Sequence, residues 1–159
     1  MAIDITTNTH AVAFPSRLVA GYGGGHIFDI QLTSAADNGN IVARGDYIKL
    51  GTYREAAAAA SGTGAFAGKI VEQAANGNWY VEVTAETDAL FVYMPEISPY
   101  TEGRLKDPKL FYNATGDVVK GYSLHKGDIF EVSAAGFTGT PVVGKTLTVG
   151  SKKLVVASN

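Results

Sequence analysis

Three histidines, His10, His26 and His125, are the side chains of this 159-residue chain best suited to metal binding or proton transfer. They lie far apart, and no two stand at the helix or strand spacing that would bring imidazoles onto one ion, so no zinc site is expected. Cysteine is absent, which removes disulfides, thiolate ligands and thiol nucleophiles. Serine or threonine catalysis needs a base and an orienting acid, and no Gly-x-Ser-x-Gly nucleophile turn occurs. Carboxylates are plentiful: Glu82, Glu86, Asp88, Glu96, Asp128 and Glu131. A glycosidase needs two of them about 5 to 10 Å apart, but each reads more simply as a solvated strand face or a turn residue. The expectation is therefore a protein that is not an enzyme, with no catalytic, cofactor-binding or metal-binding residue.

Four short motifs resemble binding sites and fail on their details. Gly21-Tyr22-Gly23-Gly24-Gly25-His26 has the look of a phosphate loop, yet His26 stands where the third glycine belongs, and strand-like residues follow instead of a helix. Asp37-Asn38-Gly39-Asn40 lacks the spaced oxygen ligands of a calcium loop and reads as a turn. Arg44-Gly45-Asp46 spells a receptor-binding tripeptide, but Lys126-Gly127-Asp128 repeats its shape and points to turn chemistry. Asn113-Ala114-Thr115 matches a glycosylation sequon without an export signal beside it.

Thirteen basic and fifteen acidic residues leave a formal charge of −2, with no basic stripe, so no nucleic-acid partner is expected. Hydrophobic residues at 46% against 18% charged supply enough apolar material for a core. No stretch approaches the roughly 20 apolar residues of a spanning helix, so no membrane partner is expected. The first sixteen residues hold Asp4 and neither Lys nor Arg, unlike a secretory signal.

The elements that must position any site are strands. Phe28, Ile30 and Leu32 alternate with Asp29 and Gln31, the two-residue period of a half-buried strand. Asn38-Gly39 marks a turn, and short strands are expected over 41–43 and 47–50. Five alanines near Glu55 run straight into Ser61-Gly62-Thr63-Gly64, so 54–65 reads as a small-residue loop. The clearest hairpin joins 67–72 to 79–84 through Asn76-Gly77. Residues 89–94 form a continuous apolar run suited to a central strand. Further strands are expected over 110–112, 117–122 and 129–134. A last hairpin, 146–149 with 152–156, carries a type II′ turn at Gly150-Ser151. The buried phase is expected to include Phe28, Ile30, Trp79, Val81, Val83, Phe91, Phe130, Val132 and Leu147. The segment 42–50 echoes 124–132, each with basic-Gly-Asp before a strand. Either the two barrel halves are duplicated, or one convenient turn is used twice.

This pattern predicts an all-β fold: a single Greek-key barrel or sandwich of short antiparallel strands over 26–159, with an extended N-terminal arm over 1–25. The arm carries apolar residues without a clear period, and it must lie against its own domain or against another subunit. Residues 96–109 form a long, Pro-containing loop with both charge signs, of the length at which loops usually have a purpose. Phe14 and Leu18 in the arm, with Arg104 and Lys106 in the loop, are the expected partner-binding residues.

Phe28-Asp29-Ile30-Gln31-Leu32 followed by Asp37-Asn38-Gly39 resembles the opening of small auxiliary head proteins of tailed bacteriophages. Residues 121–133, Gly121-Tyr122-Ser123-Leu124-His125-Lys126-Gly127-Asp128-Ile129-Phe130-Glu131-Val132-Ser133, are similar to their barrel strands. The resemblance spans about 27–156 as a texture of motifs. It implies a capsid decoration, or cement, protein on the outer surface of the virion. The major capsid protein would be its partner, with self-association as trimer or monomer open and no cofactor. The alternative is a carbohydrate- or receptor-binding β module of a fibre or tail, which would display Tyr93, Tyr100, Tyr112 or Tyr122 on an exposed face.

Overall fold

A computed structural model describes residues 9–14, 27–43, 45–49, 66–94 and 109–158. The described chain is almost entirely β. Its strands are β1 (Ile27–Leu32), β2 (Ile41–Val42), β3 (Tyr47–Lys49), β4 (Gly68–Gln73), β5 (Trp79–Val83), β6 (Leu90–Tyr93), β7 (Val118–Ser123), β8 (Ile129–Val132), β9 (Phe137–Thr138), β10 (Thr146–Gly150) and β11 (Lys153–Val156). One turn of 3-10 helix covers Ala134–Gly136. The segment read as a loop over 54–65, and all but Lys109 of the charged loop read over 96–109, lie outside the described residues.

Two sheets form, in the orders β2-β6-β7-β1-β3 and β8-β5-β4-β10-β11-β9. In each, the two edge strands are consecutive in the chain, separated only by 43–46 or by 133–136. Flat, the five- and six-stranded sheets would be about 19 and 24 Å wide, whereas four intervening residues reach at most about 18 Å. Both sheets must therefore curl until their edges approach. The pairing is antiparallel except between β11 and β9, which run parallel. No sequence signal marked that exception, because the two-residue β9 is too short to show a period.

The curled five-stranded sheet encloses Ile30, Leu32, Val42, Leu90, Val92 and Val119, with Phe28 and Tyr47 packed at the margin. The larger cluster lies between the back of that sheet and the six-stranded one, and includes Ile41, Ile70, Val81, Val83, Phe91, Phe130, Val132, Leu147 and Leu154. Strand β6 contributes to both, Phe91 on one face and Leu90 and Val92 on the other. That explains its unbroken apolar run: a strand buried on both faces has no polar phase. Phe91 and Phe130 meet at the centre, ring centroids 5.0 Å apart and tilted by 53°. Trp79 and Phe28, expected in the core, are only partly buried and pack against its edges.

One turn recurs. Over 37–40, 43–46, 114–117, 125–128 and 142–145 the fourth residue's N–H donates to the first residue's carbonyl, at 3.0–3.2 Å. The third residue is a glycine with φ between 87 and 99°. Positive φ at that position defines a type II turn and favours glycine. In four of the five, the fourth side chain accepts the first residue's N–H: Asn40 from Asp37, Asp46 from Ala43, Asp117 from Ala114 and Asp128 from His125. Each turn leads straight into a strand, β2, β3, β7, β8 or β10. Five uses in dissimilar surroundings favour a reusable strand-starting device over duplicated halves.

Two expectations are corrected. The last hairpin turns at Ser151-Lys152, with φ of 50° and 67°, which is a type I′ turn rather than type II′ at Gly150-Ser151. Non-glycine residues tolerate this because the turn is anchored on the other sheet. Lys152 Nζ bonds Ser34 Oγ and the Ala35 carbonyl, and the Lys152 carbonyl accepts the Ile41 N–H at 2.9 Å. Residues 110–112 are not a strand: Phe111 points into the protein, and the following Asn113 makes a single bridge to Ala36.

Candidate functional site

The segment 9–14 runs along the outer edge of β8. Ala13 bridges Val132 in antiparallel fashion. The Ser133 N–H donates to the Val12 carbonyl at 2.8 Å, and the Val12 N–H returns to Ser133 Oγ at 2.9 Å. Upstream, the His10 N–H donates to the Lys109 carbonyl at 2.8 Å and the Ala11 N–H to Asp37 Oδ2 at 3.0 Å. An unpaired strand edge invites unwanted pairing, and here the chain's own N-terminal segment covers it. The sequence left two seats open for these residues, and 9–14 sit on their own domain.

Side chains of the segment alternate. Ala11 and Ala13 are each 1% exposed and belong to the larger core cluster. They fit because Gly39 and Gly136 lie beneath them: a Cβ on Gly39 would meet Ala13 Cβ at 2.9 Å, and one on Gly136 would meet Ala11 Cβ at 3.5 Å. The opposite phase, His10, Val12 and Phe14, lines a groove of about 470 Å³ with Asn76, Asn78, Lys109 and Ser133. Behind it, the fully buried Glu131 accepts hydrogen bonds at Oε1 from Asn76 Nδ2 and Asn78 Nδ2, both at 2.8 Å. A buried carboxylate requires such donors, and the β4–β5 loop supplies them.

His10 closes one end. Its Nδ1 lies 2.5 Å from Asp37 Oδ1, and its ring stacks on Tyr112 at 5.0 Å. Asp37 opens the first of the recurring turns, whose other residues form a buried polar knot. Asn38 exchanges two bonds with the Met94 backbone, at 2.8 and 2.9 Å, and Asn113 Nδ2 reaches both the Ala36 carbonyl and Asn38 Oδ1. With its amide nitrogen so engaged and the residue 2% exposed, Asn113 is not an acceptor for a glycan.

Of the expected partner-binding residues, Phe14 lines the groove; Leu18, Arg104 and Lys106 lie outside the described residues, as does His26. His125 meets Glu86 at 3.3 Å, far in the chain from the His10–Asp37 pair. Among the described residues no three His, Asp or Glu side chains group as metal ligands. No described helix is long and apolar enough to cross a membrane. The candidate glycan-stacking tyrosines are packed instead: Tyr122 edge-on to Phe91, Tyr112 on His10, Tyr93 against the larger cluster. Tyr100 is outside the described residues.

Sequence reasoning named His10 and Asp37 singly, one as a rejected metal ligand and the other as a turn residue, and missed both their pairing and Ser133. The available signal was Ala11 and Ala13 alternating with His10, Val12 and Phe14, a two-residue period whose inward members are small.

A second surface stands out. On the outer face of β3-β1-β7, Ile48, Gln31 and Val118 fall in one cross-strand row, and Ile27 shares that face of β1. Ile48 is 57% exposed, Ile27 55% and Val118 45%. Asp29 and Lys120 form an ion pair between them.

No protein-family model, curated protein or solved structure matches this chain.

Proposed function

We propose that this protein is a non-enzymatic structural protein that decorates and braces an assembled bacteriophage head, bound to the major capsid protein on the outer surface of the virion. The observation that carries the reading is the exposure of three aliphatic side chains on one sheet face: Ile48 and Val118, which flank Gln31 in one cross-strand row, and Ile27 beyond the Asp29–Lys120 ion pair. Three large aliphatic side chains on one face, interleaved with Gln31 and an ion pair, suit a mixed apolar and polar contact with another protein better than free exposure to water. The resemblance of 28–39 and 121–133 to auxiliary head proteins supplies the identity of that partner. Leu18, Arg104 and Lys106 act as further capsid contacts in this proposal.

Co-sedimentation with expanded, undecorated phage heads tests it. The wild-type protein pellets with the heads, and an Ile48→Asp/Val118→Asp variant with an unchanged circular-dichroism spectrum stays in the supernatant. A folded wild-type protein that remains in the supernatant overturns the proposal. A variant that still pellets moves the contact to another face.

A further inference from the structure

We propose that residues 9–14 are an exchangeable strand, seated on the β8 edge of their own domain in the isolated chain and on the β8 edge of a second copy in the assembled state. The inference goes beyond the capsid reading and does not depend on it.

The seat has the two features of a strand-addition site: a backbone ladder on one edge, and pockets that take alternate side chains. Val132 and Ser133 supply the ladder, and the space above Gly39 and Gly136 takes Ala13 and Ala11. Asp37 fastens the far end through His10 Nδ1 and the Ala11 N–H. Every one of these partners is distant in the chain, 121 residues away for Ser133 and 26 for Asp37. The seat is therefore built entirely by the body of the domain, and residues 9–14 of any copy would find the same bonds there.

The connection permits it. Twelve residues separate Phe14 from Ile27, and Gly21, Gly23, Gly24 and Gly25 are among them. At full extension such a connection spans about 45 Å, against about 35 Å for the diameter of a domain of this size. Since the same contacts form within one chain or between two, the enthalpic difference is small, and concentration decides between them.

The chain has no cysteine, so introduced ones report without background. Ala13 and Val132 face each other across an antiparallel bridge, where Cα atoms stand about 4.5 to 5.5 Å apart, within disulfide range. An Ala13→Cys chain is mixed with a tagged Val132→Cys chain, oxidised over a wide range of concentrations and run on a non-reducing gel. The mixed disulfide, which can form only between copies, rises from a trace to the main species as concentration increases. Its absence at every concentration overturns the proposal. If either variant fails to fold by circular dichroism, light scattering on the unmodified chain decides. A mass that doubles with concentration, and that Ala13→Glu holds at the monomer value, supports exchange. A constant monomer mass, or a doubling that survives Ala13→Glu, overturns it.

Discussion

Gly39 and Ala13 leave no room between them: a Cβ built on Gly39 would stand 2.9 Å from Ala13 Cβ and 2.9 Å from Val132 Cγ2. Its φ of 88° adds a second demand for glycine. Gly45 occupies the same place in its own turn, with φ of 99°, but nothing lies within 4 Å of its missing Cβ. Gly45→Ala should cost only the left-handed backbone penalty, about 1–2 kcal/mol. Gly39→Ala should add overpacking of about 1–3 kcal/mol. Urea midpoints of the two variants check the difference; equal midpoints would mean that the 9–14 segment yields without cost.

The recurring turn is testable at Asp117, whose Oδ2 accepts the Ala114 N–H at 2.7 Å. Asp117→Ala should destabilise by about 1.5–3 kcal/mol, the range of a hydrogen bond to a charged group. Asp117→Asn, which keeps an acceptor in place as Asn40 does in the first turn, should recover most of that loss. Identical stabilities for the two variants in chemical denaturation would show that the backbone turn suffices.

The aromatic centre and its margin should separate by truncation. Phe130 is fully buried against Phe91 and Phe66, so Phe130→Ala should cost about 3–5 kcal/mol. Trp79 is only partly buried, and Trp79→Ala should fall clearly below that despite the larger side chain. Thermal unfolding of both variants checks the order, and a reversed order would place the centre of packing at Trp79.

Tyr47 should make stability fall in alkali. Burial pushes its phenol above the ordinary value, and the negative charges of Asp88 and Asp46 raise it further. The folded state therefore holds the proton more tightly than the unfolded chain. The contribution is fully present below about pH 10, the unfolded value, and is lost as pH rises through the higher folded value. Tyr47→Phe should flatten that decline, measured as denaturant midpoints on either side of pH 10. An unchanged alkaline slope in the variant would assign the decline to other groups.

Much of the β architecture was legible because a strand's period of two is a local property. Phe28-Ile30-Leu32, Val81-Val83 and Phe130-Val132 declared their faces, and the glycine turns declared their breaks. The unbroken run at β6 was readable as a central strand for a different local reason, since a strand buried on both faces has no polar phase. Trp79 was misplaced because size alone does not say where along a strand burial begins: it opens β5 beside the 74–78 turn, whereas Val81 and Val83 of the same strand are fully buried. The type I′ turn at Ser151-Lys152 was hidden because its cost is offset from outside, by Ser34, Ala35 and Ile41.

What the sequence determined by itself, then, is what neighbours set: most of the strands, most of their inward phase, and the turns at Asn38-Gly39, Gly45-Asp46 and Gly127-Asp128. Tertiary structure alone decided which strands pair, that β9 joins β11 in parallel, and that 9–14 close the β8 edge. It also brought His10 to Asp37 and left Ile27, Ile48 and Val118 on one open face. Those outcomes depend on contacts between residues far apart in the chain; a local period, where one exists as in 10–14, does not name the partner, because each segment is compatible with many others until the sheets curl and select one.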